Sequence, residues 1–341
     1  MCDQRRQQIQ AIRADQVKKT ALILVKAGVV VAIYAVVLRR VSFSRIESLL
    51  TPGFCLALFI GVLLNLAQAI LCTLRWMAVA RGVANVPSFF QSLSAYLEGL
   101  FFNQALPSFV GGDAVRVVRW RAAGVILPDA VLSVLRDRLF GAMGAALLAL
   151  VACGWMYFTP IETYKVDAAI MLSAAALLGS IGVLLALQSN PLARMVERYP
   201  RIQAFMKHVA DSPLRGRQWL ELMSNSVVGQ IFSGLSVYFL ALSIGIRLPA
   251  VFLIAFTGVV LVVSMIPISL AGWGIREASF LAVLTPLGVP SESAIVLSIG
   301  FGLSVLLGAM PGGLCLLMGL SNPRDVPLAA DLEPSISQSR K

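Results

Sequence analysis

A chain of 341 residues that is 58% hydrophobic and only 13% charged, with a mean hydropathy of +0.84, falls outside the soluble average of about 25% charged residues and reads as an integral membrane protein. Its formal net charge of +11 does not point to nucleic acid, because the basic residues lie in connections between apolar runs, the positive-inside pattern. Five cysteines without metal-ligand spacing and one histidine, His208, leave no basis for a metal site, a disulfide framework or histidine catalysis, so no cofactor is expected.

Residues 1–20 carry Arg5, Arg6, Arg13, Lys18 and Lys19. The apolar run Ala21–Leu38 follows without a small-residue cleavage site, which predicts a retained first span with the N-terminus in the cytoplasm. Phe54–Leu74 is the second span, carries Asn65 and Gln68, and ends at Arg75. Pro87–Leu106 is apolar but interrupted by Gln91, Ser92, Ser94, Glu98 and Asn103, so it is either a helix inside the bundle or one arm of a re-entrant hairpin. A helix beginning at Asp129 carries Arg136, Asp137 and Arg138 into the span Leu139–Phe158, and Ala168–Leu187 crosses back. The polar connection 188–218 has a basic excess that places it in the cytoplasm. Trp219–Ile244 and Pro249–Ile266 are further spans, and Ser291–Leu320 is the last, broken by Pro311, Gly312 and Gly313.

Spans of about 20 residues suit a hydrocarbon core of about 30 Å. The expected fold is therefore an all-α membrane bundle of about seven or eight spans, a single transmembrane domain over 21–320 between a basic N-terminus at 1–20 and a disordered tail at 321–341.

The stretch Asn103–Gly124, NQALPSFVGGDAVRVVRWRAAG, sets Pro107, Gly111, Gly112, Asp113 and Arg116 among apolar segments. Backbone loosened at membrane depth survives only where protein buries it or a wet cavity receives it, and an intramembrane arginine is a functional hypothesis by default. A second stretch, Ile266–Phe280, reads IPISLAGWGIREASF. Pro267 and Arg276 stand nine residues apart, as do Pro107 and Arg116, with Ala271-Gly272 at the offset of Gly111-Gly112 and Gly274 following. Downstream, Gly124-Val125 precedes Ala130 as Gly288-Val289 precedes Ala294. Paired Gly/Pro-interrupted segments point to a transporter's binding site, which predicts an internal repeat whose copies meet near the bundle centre. Span counting leaves parallel and inverted repeats both open.

Arg119 and Arg121 fit a cytoplasmic belt that snorkels to headgroups. Arg116, Arg138 and Arg276 are each flanked by apolar residues and glycine, which favours a site. Asp113 lies three residues before Arg116, Asp137 adjoins Arg138, and Glu277 adjoins Arg276, so each carboxylate is expected to pair with its sequence neighbour when no substrate is present. Asn65, Gln68, Asn225 and Gln230 read as interhelical hydrogen-bond glue.

NQALPSFVGGDAVRVVRWRAAG, SVLRDRL and PISLAGWGIREASFLAVLTPLGV resemble, in order and across nearly the whole chain, the conserved stretches of the flippase-like family that corresponds to the transmembrane region of lysylphosphatidylglycerol synthase. The resemblance implies an all-helical bundle in the bacterial inner membrane that moves a lipid or lipid-linked headgroup between leaflets. In multiple peptide resistance factors such a domain flips an aminoacylated phosphatidylglycerol, and relatives are linked to hopanoid or polyprenyl-linked glycan pathways. This chain departs from those factors in lacking a second helical block and the soluble aminoacyl-transfer domain, which puts an aminoacyl-lipid substrate in doubt.

The resulting expectation is a lipid flippase that uses no ATP, since no nucleotide-binding G-x-x-x-x-G-K-[ST] loop occurs. Arg116, Arg138 and Arg276, with Asn103, are expected to hold the phosphate. Asp113, Asp137 and Glu277 neutralise them when empty, and the breaks at Pro107, Gly111, Gly112, Pro267, Gly272 and Gly274 open the cavity. The rivals are a membrane-embedded transferase acting on a lipid phosphate and a noncatalytic scaffold of a lipid-biosynthetic complex.

Overall fold

In the computed structural model the described residues are 51–81, 83, 85–105, 109–158, 166–187, 203, 212–214, 216–264 and 274–317. The expected first span, most of the polar connection with His208, the tail, and Pro107, Pro267 and Gly272 lie outside them. The described residues build an all-helical bundle with no strand among them. In lipid a helix is the one open segment that satisfies its own backbone.

The helices in chain order are α1 (Pro52–Val79), α2 (Phe89–Ala105), α3 (Phe109–Ala122), α4 (Leu127–Phe158) and α5 (Val166–Leu187). They continue with α6 (Gly216–Ser243), α7 (Ala250–Ser264), α8 (Ile275–Leu284) and α9 (Ser291–Leu317). Four of these, α1, α4, α6 and α9, are long and apolar enough to cross a membrane. Helix α1 starts cleanly because Pro52 occupies its first turn and the Thr51 hydroxyl accepts a bond from the Phe54 N–H at 3.2 Å. The half-polar segment expected as interior helix or hairpin arm is α2, in which Ser92 and Glu98 are fully buried and which folds back against α3.

Two expected breaks are not breaks. Gly111 and Gly112 lie within α3, and Pro311, Gly312 and Gly313 lie within α9. Gly112, Gly312 and Gly313 serve close approach instead. A Cβ on Gly112 would stand 2.0 Å from the Gly99 carbonyl oxygen, and one on Gly312 2.1 Å from that of Leu97. Small residues let helix backbones meet in a membrane, and Pro311 is carried by a helix already held against α2.

The repeat is visible in the architecture. Helices α1 and α6 are both 28 residues long, and α6 begins at 216 against 52, the same displacement of 164 that separates the start of α9 at 291 from that of α4 at 127. Between them, Gly124 (φ 98°) and Gly288 (φ 82°) adopt the left-handed conformation. In each copy the following valine N–H bonds back five residues, Val125 to Trp120 at 3.1 Å and Val289 to Leu284 at 3.2 Å. This is the Schellman closure of a helix, in which glycine has no steric penalty. The packing repeats as well: α2 lies on α9 and α7 on α4. At the second contact Gly258 meets Ala145 and Ala149 as Gly312 meets Leu97 at the first.

Direction along the central pair settles the sense of the repeat. Asn65 of α1 contacts Ser236 of α6, whereas Arg75 contacts Ser226. One helix ascends as the other descends, so the halves α1–α4 and α6–α9 are inverted copies about an axis through the α1/α6 contact.

Candidate functional site

A cavity of about 270 Å³ lies between the halves. Arg75, Arg116, Asp137, Arg138 and Arg276 all line it, as does Asn103. The two arginines of the paired motifs therefore border one space. Asp113 and Glu277 stand behind them as ion-pair partners.

Asp137, 1% exposed, forms the densest contact. Its Oδ1 accepts from Arg75 Nε at 2.7 Å and its Oδ2 from Arg116 Nη2 at 2.7 Å. Arg75 also donates to the Ser226 hydroxyl at 3.2 Å. The Arg116 guanidinium lies over the rings of Trp76 and Tyr96, 4.1 and 4.6 Å from their centroids. Trp76 in turn stacks on Trp120 at 4.0 Å. Aromatic faces stabilise a desolvated cation, and they leave the Arg116 Nε, a buried donor, without a hydrogen-bond partner.

At the rim, Arg138 Nε donates to both oxygens of Asp113 at 2.9 Å, and Asp113 also stands 3.7 Å from Arg116. Expected pairing along the chain is thus corrected for Asp137, whose partners come from α1 and α3 rather than from Arg138 beside it. Asp113 serves α4 as well as its own helix. Pairing within the motif holds at Glu277, whose Oε1 accepts from Arg276 Nη2 at 2.9 Å and from the Ser298 hydroxyl at 3.2 Å. Its other oxygen accepts the Gly274 N–H and so closes the N-terminus of α8. Gly274, at φ 89°, is a true backbone turn. Asn103 accepts the Gly112 N–H at 3.1 Å, tying α2 to α3.

Beyond each arginine stands an apolar cluster. Trp76, Ala80, Ala95, Trp120 and Val134 form the cluster on the Arg116 side, and Phe256, Phe280, Leu284 and Phe301 belong to the larger cluster on the Arg276 side. Gly302 seats the latter side chain: a Cβ there would stand 2.2 Å from Arg276 Nη2.

Sequence reasoning missed Arg75, Trp76, Tyr96 and Glu98. Arg119, expected to snorkel, is bound by the fully buried Glu98 at 2.6 Å; Arg121 is exposed, as a belt residue would be. The available signal was an acid within an apolar segment, Glu98, which requires a cation nearby. Among the described residues no cluster of His, Cys, Asp and Glu is arranged to hold a metal ion.

A family model described as the lysylphosphatidylglycerol synthase TM region matches residues 23–312. No curated protein matches the chain.

Proposed function

Since the chain belongs to the lysylphosphatidylglycerol synthase TM region family, a family of membrane proteins tied to lipids, we propose that it carries an anionic phospholipid or lipid-linked intermediate between leaflets without ATP. The observation that carries this reading is the shared cavity with its excess of positive charge. Arg75, Arg116, Arg138 and Arg276 bring four charges against three on Asp113, Asp137 and Glu277. One positive charge is left for one phosphodiester.

In this reading the inverted halves carry Arg116 and Arg276 on opposite sides of the axis, one serving each leaflet. A headgroup entering from one leaflet meets one arginine, and crossing the cavity brings it to the other. Its phosphate adds bidentate bonds to guanidinium groups that keep their carboxylates, the spare positive charge balances it, and no bare charge enters the hydrocarbon, where it would cost several kcal/mol or more. Acyl chains stay in the bilayer. The bacterial inner membrane is the setting this reading supposes, with an enzyme of lipid biosynthesis as supplier or consumer.

The test is leaflet-resolved movement of a labelled anionic phospholipid in liposomes that contain the purified protein. Arg116→Ala and Arg276→Ala are each expected to slow it at least tenfold, about 1.4 kcal/mol. Movement no faster than in protein-free liposomes would sink the reading, and product formation from a sugar-nucleotide donor would replace it with a transferase.

A further inference from the structure

Two buried acceptors in the cavity wall lack a donor. Asn65 of α1 donates through its amide nitrogen to the Gly61 carbonyl at 2.8 Å and the Ser304 hydroxyl at 2.9 Å. Gln230 of α6 donates to the Gly141 carbonyl at 3.3 Å. Those bonds assign the nitrogen end of each amide, and they leave Asn65 Oδ1 and Gln230 Oε1 buried without a hydrogen bond. Asn65 is 7% exposed and Gln230 8%, and both line the cavity, with Gln68 one turn along α1 beside them. A buried acceptor left open carries its full desolvation penalty. Two of them on facing helices, at the edge of a cavity that already gathers arginines, mark a place for a ligand's donors.

The surrounding charges decide which donor. Asp113, Asp137 and Glu277 are each already ion-paired with arginine, so none is left to balance an ammonium group, and the nearby guanidinium groups repel one. A neutral hydroxyl meets neither obstacle. Resting on the reading of this cavity as a lipid-phosphate site, we infer that Asn65 and Gln230 form a second subsite that takes the hydroxyl groups of a polyol or sugar esterified to the phosphate. Aminoacylated and other ammonium-bearing headgroups are not its ligands. The arginines hold the phosphate, and the amide wall reads what is attached to it.

The purified full chain in detergent is titrated with short-chain phosphatidylglycerol, phosphatidylmethanol and phosphatidylethanolamine, with binding read by native mass spectrometry. The first two have the same charge and differ in headgroup hydroxyls; the third adds an ammonium. Phosphatidylglycerol is expected to bind about tenfold more tightly than phosphatidylmethanol, and phosphatidylethanolamine no more tightly than phosphatidylmethanol. Gln230→Leu is expected to reduce phosphatidylglycerol to the level of phosphatidylmethanol while leaving the latter unchanged, so retained binding of the methyl ester certifies the fold. Asn65→Leu is expected to do the same. Equal binding of the first two lipids by the unmodified protein, or tightest binding of phosphatidylethanolamine, overturns the subsite and leaves the phosphate reading standing. Failure of all three to bind overturns both.

Discussion

Asp137 holds two guanidinium groups at once, so its loss strands Arg75 and Arg116 as buried charges. Breaking a buried ion pair costs about 3–5 kcal/mol, whereas an exposed pair is worth about 0–1 kcal/mol. Asp137→Asn is accordingly expected to lower the thermal unfolding midpoint in detergent sharply. Glu221→Gln, which removes the partner of Arg81 in a pair whose side chains are 54% and 36% exposed, should scarcely move it. Equal shifts in the two variants would remove Asp137 from the role given to it. The locations of Arg116, Arg138 and Arg276 at one space were legible because charge inside an apolar run is expensive and needs a reason. Their partners were not. Spacing along the chain proposes i,i+1 and i,i+3 neighbours, but Asp137 turns to α1 and α3, which only the helix packing brings to it. Arg75 escaped notice for a related reason: it ends an apolar run as the sequence divides it, where snorkelling is the ordinary fate of a long cation, yet α1 continues to Val79 and keeps it inside.

At the scale of the helix, glycine was the residue hardest to interpret. Missing side chains serve equally to loosen backbone and to bring two helices together, and the sequence around Gly112 and Gly312 does not separate the uses. Contact does. Gly302 offers a direct test, because a methyl group there would occupy the place of the Arg276 guanidinium, 2.2 Å from its Nη2. Gly302→Ala is expected to abolish lipid movement, even though alanine favours a helix over glycine by about 1 kcal/mol. Gly154→Ala in α4, where nothing lies within 4 Å, shares the propensity gain without the clash and should leave transport unchanged while raising the unfolding midpoint slightly. If both variants transport normally, Arg276 does not depend on its seat. The apolar helices themselves were readable from hydropathy: α1, α4 and α6 enclose or nearly coincide with the expected runs, since a lipid-exposed segment has little alternative to a helix.

For the whole molecule, the inverted repeat makes the two ends of the bundle equivalent in backbone and different in chemistry. Span counting left its sense open because the polarity of Asp113–Arg138 hides whether that stretch crosses; antiparallel contact between α1 and α6 removes the ambiguity. Where α1 ends and α6 begins, Arg81 and Glu221 form a bidentate pair across the two helices. Displaced by 164, the equivalent positions at the other end are Gly245 and Ala57, uncharged and bordered by the apolar cluster of Phe54, Leu240 and Ile244. One end is thus tied by an exposed ion pair, sensitive to salt, and the other by buried apolar surface, which is not. Cys72 reports on the first. It lines the cavity and stands seven residues before the end of α1 at Val79, about 10 Å at 1.5 Å per residue, with Arg81 two residues farther on. In a chain whose other cysteines are serine, Glu221→Lys sets like charges against each other at this end and is expected to raise the labelling rate of Cys72 by a charged maleimide several-fold, with high salt acting in the same direction on the unmodified pair. Ala57→Ser, a mild change at the apolar end, should leave the rate alone. If labelling is indifferent to Glu221→Lys and to salt, the ion pair does not hold that end closed, and access from both sides is governed by apolar contacts alone.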